Sequence, residues 1–300
     1  MTKELRALYE EAFDDDSKAF VDYFFDSIDT RRCYTVLEGN EIVSALYVTY
    51  KKCVIRGCKL DIPFFVAVAT RKDKRGQGKA AECLTKALKD LYDRGDILAG
   101  LYPVNHKLYE KFGFCTVNYM SECSVSAGGD AAISKVGVLD IDRLKAIADK
   151  HNKRFDSYFV YDNESLYRLI KEYAADGVSP YIVTTGGIDL GFCFACTVSK
   201  RLEHAIGDGF GSASEWIGYK YSAPSKLGTG SEYCQMRIIN ARLALECYGT
   251  DRSILPYGVT ISDPIISGNE TQRKGQSIDI RELTHIILNK GSNNFFADKY

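Results

Sequence analysis

Residues 62–81 read Ile-Pro-Phe-Phe-Val-Ala-Val-Ala-Thr-Arg-Lys-Asp-Lys-Arg-Gly-Gln-Gly-Lys-Ala-Ala, and a change of pattern inside this stretch decides the fold. Ile62 to Thr70 is dense in β-branched and aromatic residues, as a buried strand is. From Ala80 the apolar positions Ala80, Leu84, Ala87, Leu88 and Leu91 recur every three or four residues, the helical period, and Gly95 supplies a C-terminal stop. Between the two patterns lies a glycine-rich loop, Arg75, Gly76, Gln77, Gly78, Lys79 and Ala80. Glycines at a helix start let backbone amides approach a ligand closely, and those amides, with the helix dipole, favour an anion such as phosphate.

Working outward, residues 1–30 carry a helical pattern in which Asp14, Asp15, Asp16 and Ser17 offer an N-cap ahead of Ala19, Phe20, Tyr23, Phe24 and Ile28. The acidic triplet reads first as a solvated helix start; its other reading is a negative patch that attracts a cationic substrate. Cys33 to Glu38 and Glu41 to Lys51 flank a Gly39-Asn40 turn, and Cys53 to Leu60 and Ile62 to Thr70 extend that hairpin into an antiparallel meander. After the helix, Ile97 to Leu101 is expected beside the preceding strand, and Phe114 to Val125 closes the unit. Gly128, Gly129, Asp130 and Ala131 read as a linker. Beyond it, Asp140 to His151 and Ser165 to Ala175 read as helices, and Tyr181 to Thr184 and Leu190 to Ser199 as a hairpin around Gly186-Gly187. A second loop, Tyr221 to Gly230, leads into Tyr233 to Ile239, Ala241 to Cys247, Gly258 to Ile261 and Ile278 to Leu288. The expected division is therefore 1–127, 128–222 and 223–300, in an α/β (α+β) chain with a mixed, largely antiparallel sheet.

The chain has 300 residues, enough for two or three domains. Its 39 basic and 40 acidic residues leave a net charge of −1, so no global field argues for nucleic acid or an anionic membrane as partner. Lys3, Glu4 and Arg6 are followed by charge rather than an apolar run, and no stretch reaches transmembrane length, so the expected compartment is the cytoplasm. The ten cysteines fall mostly inside strand or helix patterns and read as reduced, buried thiols. Cys193 and Cys196 have metal-like spacing, but no second pair or nearby histidine completes a ligand set, and no metal is expected.

The spacing Gly76, Gly78, Ala81 also fits a dinucleotide fingerprint. The context is wrong for it: Asp93 and Asp96 precede the next strand instead of ending it, and an antiparallel meander comes before the loop. A nucleotide P-loop is absent. The pattern that remains resembles the GNAT-type N-acetyltransferases, whose loop reads Q/R-x-x-G-x-G/A; Arg75, Gly78 and Ala80 fill it. Tyr109, Glu110, Lys111, Phe112, Gly113 and Phe114 resemble the family's Y-x-K/R-x-G-F segment, about 30 residues downstream as a coenzyme A site requires. The Val-Ala-Thr at 68–70 and the Leu-Tyr-Pro at 101–103 resemble, more narrowly, the Eis-like (enhanced intracellular survival) acetyltransferases.

That resemblance implies a GNAT domain at 1–127, a degenerate GNAT-like unit at 128–222, and a sterol carrier protein-like α+β domain at 223–300, where Met236 to Ala244, Val259 to Asp263 and Asp279 to Leu288 carry the likeness. It implies acetyl-CoA as co-substrate, with the backbone of Val68, Ala69 and Thr70 on the acetyl carbonyl and pantetheine. Arg75 to Ala81, that is Arg75, Gly76, Gln77, Gly78, Lys79, Ala80 and Ala81, would take the pyrophosphate, and Asn105 would lie near the pantetheine end. The implied reaction moves the acetyl group to a primary amine of a small cationic acceptor. Tyr109 is the implied leaving-group acid and the chain's own terminal carboxylate, at Tyr300, the implied base; the family's association with aminoglycosides suggests a polycationic acceptor. The rival reading is a module that binds acyl-CoA or lipid without turnover. A homo-oligomer is left open.

Overall fold

The computed structural model describes residues 2–29, 32–127, 131–222, 230–248, 259–269, 276–291 and 294–296. The N-terminal part runs α1 (Thr2–Ala12), α2 (Lys18–Ser27), β1 (Cys33–Glu38), β2 (Glu41–Ile55), β3 (Cys58–Thr70), α3 (Lys79–Asp93), β4 (Leu98–Leu101), α4 (His106–Glu110) and β5 (Cys115–Ala127). The middle adds β6 (Ala132–Lys135), α5 (Ile141–Asn152), β7 (Ser157–Phe159), α6 (Asn163–Ala175), β8 (Ser179–Thr185), β9 (Ile188–Cys196), β10 (Arg201–Gly207) and β11 (Phe210–Ser222). The chain then forms β12 (Ser231–Ile238), α7 (Ala241–Tyr248), β13 (Val259–Ser262), β14 (Gln276–Asp279), α8 (Ile280–Asn289) and β15 (Asn294–Phe295).

Thirteen strands make one mixed sheet in the order β15-β7-β2-β3-β4-β12-β5-β11-β10-β9-β8-β6, with β1 paired to β2. The central strands are buried on both faces, which is why β2 and β3 read as nearly continuous apolar runs. Along β2, Val43, Leu46 and Val48 enter the core under α3, while Ala45, Tyr47, Cys53 and Ile55 enter the opposite core with α1, α7 and α8. Helix α3 buries Cys83, Leu84, Ala87, Leu88 and Leu91, the face its periodicity predicted. Its three leucines alone contribute about 5–9 kcal/mol of burial before conformational entropy is counted. Ser17 caps α2 by accepting from the Phe20 amide at 3.1 Å, as expected from the sequence.

Three sequence expectations change. First, β2 does not stop at Lys51: it runs to Ile55, and the turn is Arg56-Gly57, with φ of 45° and 84°. Arginine carries no turn signal; here its guanidinium is held by the carbonyls of Ile287 and Lys290, and its amide by Asp156. Second, β7, β10 and β11 were not anticipated; β10 alternates perfectly, with Leu202, His204 and Ile206 buried, but a histidine on the inward face disguised the pattern. Third, the segment expected as a separate C-terminal unit shares the sheet of the first. Strand β12 lies antiparallel between β4 and β5, and Ile238, Ala241, Ala244, Leu283 and Ile287 share one core with Leu5, Phe64, Leu98 and Val117. Arg237, fully buried, ties this join by donating to the Phe112 carbonyl and to Asp263. The expected linker residues Gly128, Gly129 and Asp130, and most of the 221–230 loop, lie outside the described residues.

The chain's last described strand is docked rather than loose. β15 pairs parallel with β7, the Phe295 ring stacks on Phe155 and meets His151 edge-on, and the Asn118 carbonyl oxygen accepts from the Phe296 amide at 3.0 Å. His151 Nδ1 accepts from the Gly207 amide at 3.2 Å, a role only the unprotonated nitrogen can play. Burial, then the nearby Arg154, lowers the His151 pKa to about 4. The unfolded chain therefore binds the proton first as pH falls, and stability is lost between about pH 6.5 and pH 4, by roughly 2–3 kcal/mol at the acid end. Urea midpoints measured at pH 7, 6, 5 and 4 should fall more steeply for the wild type than for His151→Gln; parallel curves would contradict the assignment.

Candidate active site

Two features of β3 open the sheet. Its parallel pairing with β4 consists of Phe64 with Gly100 and Phe65 with Leu101, after which the strands part. Opposite β2 the register slips between the Ala45–Ala69 and Tyr47–Val66 pairs, and inside this bulge Ala67 adopts φ +48°. A left-handed alanine is rare, and bulges of this kind re-aim backbone groups out of the ladder. Val66, Ala67 and Val68 consequently line a groove of about 500 Å³.

The far end of the groove is the glycine loop. Gly76 and Gly78 take φ of 75° and 78°, and a methyl group added to either would meet nothing within 4 Å. The glycines are needed for the turn, and the space above them is open. Gly78 is the N-cap of α3 without a capping side chain. Helix starts of this kind leave amides directed outward, where a phosphate is favoured. The loop is braced from within: Gln77 donates to the Asp73 carbonyl at 2.9 Å, and Arg71 spans Asp73 and Glu41 at 2.6 Å each. Lys74 and Lys79 both grip Glu38 at 2.6 Å, which holds that carboxyl down at about 2. Arg75 donates to the Thr70 carbonyl at 3.2 Å and faces the groove.

On the other wall, α4 begins at Asn105, and Tyr109 follows on its buried side. The Tyr109 ring meets Phe114 edge-on with centroids 6.1 Å apart, and burial pushes its phenol up to about 12. Packing and exposure to the groove coexist, because Tyr109 also lines it. Helices α1 and α2 complete the wall with Tyr9, Phe13, Phe20 and Phe24, and with Asp16, which accepts from the Tyr9 hydroxyl at 2.6 Å. Asp14, the other acid of the triplet with a partner, pairs with Lys72 at 3.0 Å.

Of the residues singled out in the sequence, Val68, Thr70, Arg75, Ala80, Asn105 and Tyr109 are brought together around this groove. Gly76, Gln77, Gly78 and Lys79 lie in the adjoining loop, and Ala81 packs inward under α3. Ala69 faces the core, and its carbonyl accepts from Ser44 Oγ at 2.9 Å. Tyr300 lies outside the described residues. Ala67 was overlooked, since nothing in the string Val-Ala-Val-Ala distinguishes the alanine that takes the bulge. A second cavity of about 640 Å³ adjoins the groove, sharing Tyr102 and Val104 with it. Its lining includes Asp176, Glu203 and Glu232 with several tyrosines, and, among the described residues, no lysine or arginine.

Residues 2–117 match the family of GNAT acetyltransferase domains. The N-terminal unit is a GNAT acetyltransferase domain. Its groove is accordingly the place for an acyl-CoA, the donor such domains use. Among solved structures, a conserved protein of Enterococcus faecalis described as a probable N-acyltransferase superposes with a TM-score of 0.72 at 15% identity, over 94% of this chain and 86% of its own. Eis1 from Mycobacterium abscessus matches with a TM-score of 0.67 at 13% identity, over 95% and 86%. A GCN5-related N-acetyltransferase from Anabaena variabilis matches at 0.66 and 13%, over 94% and 86%. The full three-part fold is thus that of these acyltransferases. No curated protein sequence matches the chain significantly. Among the described residues no group of three or more His, Cys, Asp or Glu is placed to hold a metal ion, and no helix is long and apolar enough to cross a membrane. Cys193 is a buried free thiol in β9, its pKa raised to about 12 by burial.

The bulge gives a direct test. Ala67→Gly should leave stability within about 1 kcal/mol, whereas Ala67→Val, β-branched in a left-handed position, should lower it by roughly 1–3 kcal/mol in urea unfolding. Equal behaviour of the two variants would mean that Ala67 carries no strain.

Proposed function

We propose that the chain is an acetyl-CoA-dependent N-acetyltransferase acting on a primary amine of a small cationic acceptor by direct attack on the thioester. One observation carries this reading: the groove runs from the α3 start, past the bulged Val66 to Val68 backbone, to Tyr109, and opens into a cavity walled by carboxylates and tyrosines. The α3 amides and Arg75 suit a pyrophosphate; the parted strand suits an acyl-pantetheine, whose amides can continue the ladder that β3 and β4 abandon. An acidic, aromatic cavity suits an ammonium group.

An alkyl amine titrates near 10.4 and arrives protonated. Two protons must therefore leave its nitrogen: one before attack, the other as the tetrahedral intermediate collapses. The oxyanion formed on attack is met by backbone N–H groups of the bulge. The C–N bond forms, the C–S bond breaks, and the thiolate leaves. Tyr109, held near 12, is a neutral donor throughout the physiological range. Handing its proton outright to a thiolate whose thiol titrates near 8.5 is uphill by roughly 5 kcal/mol, so its task is a strong hydrogen bond to sulfur, with transfer completed as the nitrogen gives up its second proton. In this reading the base for that second proton is the terminal carboxylate of Tyr300. Its support is position: Phe296 is buried against the Phe159 ring, and four further residues reach at most about 14 Å.

Calorimetric titration with acetyl-CoA, followed by assay of coenzyme A release with polyamines, aminoglycosides and lysine peptides, tests the whole reading. Binding with release is expected; binding without release would select a non-catalytic acyl-CoA module. Tyr109→Phe should slow turnover about 10²-fold with little change in acetyl-CoA affinity, and a loss under about threefold would reduce Tyr109 to a packing residue. Extending the C-terminus by a few residues should abolish most turnover; full activity at saturating amine would remove Tyr300 from the mechanism.

A further inference from the structure

His106 and Glu232 meet where the two cavities adjoin. His106 Nδ1 lies 3.1 Å from Glu232 Oε2, and both atoms are shielded from solvent. The two residues come from opposite ends of the sequence. His106 is the first residue of α4, next to Asn105 of the acyl groove and one helical turn before Tyr109, so it shares a helix face with the proposed leaving-group donor. Glu232 enters on β12 and lines the second cavity. The insertion of β12 between β4 and β5 is what brings them together.

We propose that Glu232, positioned by His106, accepts the first proton of the acceptor ammonium and so generates the amine that attacks the thioester. This deepens the acetyltransferase reading and rests on it. The balance is simple. The ammonium N–H bond breaks, its proton passes to the Glu232 carboxylate, and its electron pair stays on nitrogen and forms the C–N bond. The imidazole then shares the proton through Nδ1 and returns it to water. The second nitrogen proton and the one that appears on coenzyme A are the business of Tyr109 and the terminal carboxylate, so the two ends of the site divide the work.

The surroundings suit a carboxylate that meets a cation. Tyr119 stands opposite Glu232 on β5, where the carboxylate helps to raise its phenol. Around the cavity the titratable groups are Asp176, Glu203, Cys196 and Tyr102, Tyr173, Tyr219, Tyr221 and Tyr233. The nearest cations serve other groups: Arg201 lies 3.8 Å from Glu203, and Lys51 sits 5.8 Å from the Tyr102 ring on the core side. A substrate ammonium is the cation that this wall lacks.

The test compares two amines, each with acetyl-CoA at saturation. Spermidine is protonated at neutral pH; 2,2,2-trifluoroethylamine is weakly basic and needs no deprotonation. For Glu232→Gln, kcat/KM with spermidine at pH 7 should fall about 10²-fold and recover as pH rises toward the amine's own pKa, while kcat/KM with trifluoroethylamine should change less than about threefold. His106→Gln should give the same pattern, smaller and with an acetyl-CoA affinity unchanged by calorimetry. Equal losses with both amines, or a loss with spermidine that does not recover at high pH, would make the pair merely structural. A loss under about threefold with spermidine would exclude it from proton transfer. Failure of the parent reading looks different: the wild type itself would release no coenzyme A with any amine of the panel.

Discussion

The structure depends on one short piece of pairing. β3 and β4 are held together at Phe64–Gly100 and Phe65–Leu101 and nowhere further along. The closeness at that point is enforced sterically: a Cβ on Gly100 would stand 2.7 Å from the Phe64 ring, so only glycine lets the strands meet there. The Phe64 ring then stacks toward Tyr102 and Phe159, centroids 4.8 and 5.8 Å away, which clamps the end of the pairing. Beyond the clamp the strands diverge, and their backbone groups face a groove in place of each other. Backbone groups that leave a ladder need another partner, and this is the physical reason that a ligand with amide and carbonyl groups fits the opening.

Parting two strands in the middle of a sheet would normally create two exposed edges, with the attendant risk of mispairing. Here one is covered from a distance. β12 pairs with β4 through Gln235–Leu101 to Ile238–Leu98 and with β5 on its other side. Residues from the last quarter of the chain therefore hold the first GNAT unit in shape, and the buried Arg237–Asp263 pair, with Asn269 donating to both Asp263 and the Ile239 carbonyl, fixes them there. Losing one partner of such a pair leaves an uncompensated buried charge, typically 3–5 kcal/mol. The site is thus assembled from both ends of the sequence, and its stability and its geometry are coupled.

Local pattern made the site's beginning legible and left its completion hidden. The strand-loop-helix of 62–91 could be read because each element has its own period and the glycines punctuate them, and Arg75, Ala80 and Tyr109 were found from spacing alone. Ala67 was not, since its left-handed backbone is imposed by the slip against β2 rather than by its own chemistry. Nor was Glu232, because a single glutamate at the start of a strand has no local signal; it becomes meaningful only through β12's place beside β4. The C-terminal segment read as a separate unit for the same reason: amphipathic periodicity tells which face is buried, not against what.

A net charge of −1 conceals a polar arrangement that the fold makes functional. The basic residues of the loop might seem to be a field for phosphates, yet Arg71, Lys72, Lys74 and Lys79 are each engaged with an acid, leaving Arg75 turned toward the groove. Phosphate recognition here therefore falls mainly on oriented amides, which cost no reorganisation, and the lysines act by stiffening the loop that carries them. At the other end, three carboxylates gather without a matching cation in the cavity lining. An anionic donor and a cationic acceptor are thereby drawn to opposite mouths of one continuous passage, and they meet only at Tyr102 and Val104, beside the point where β3 and β4 part.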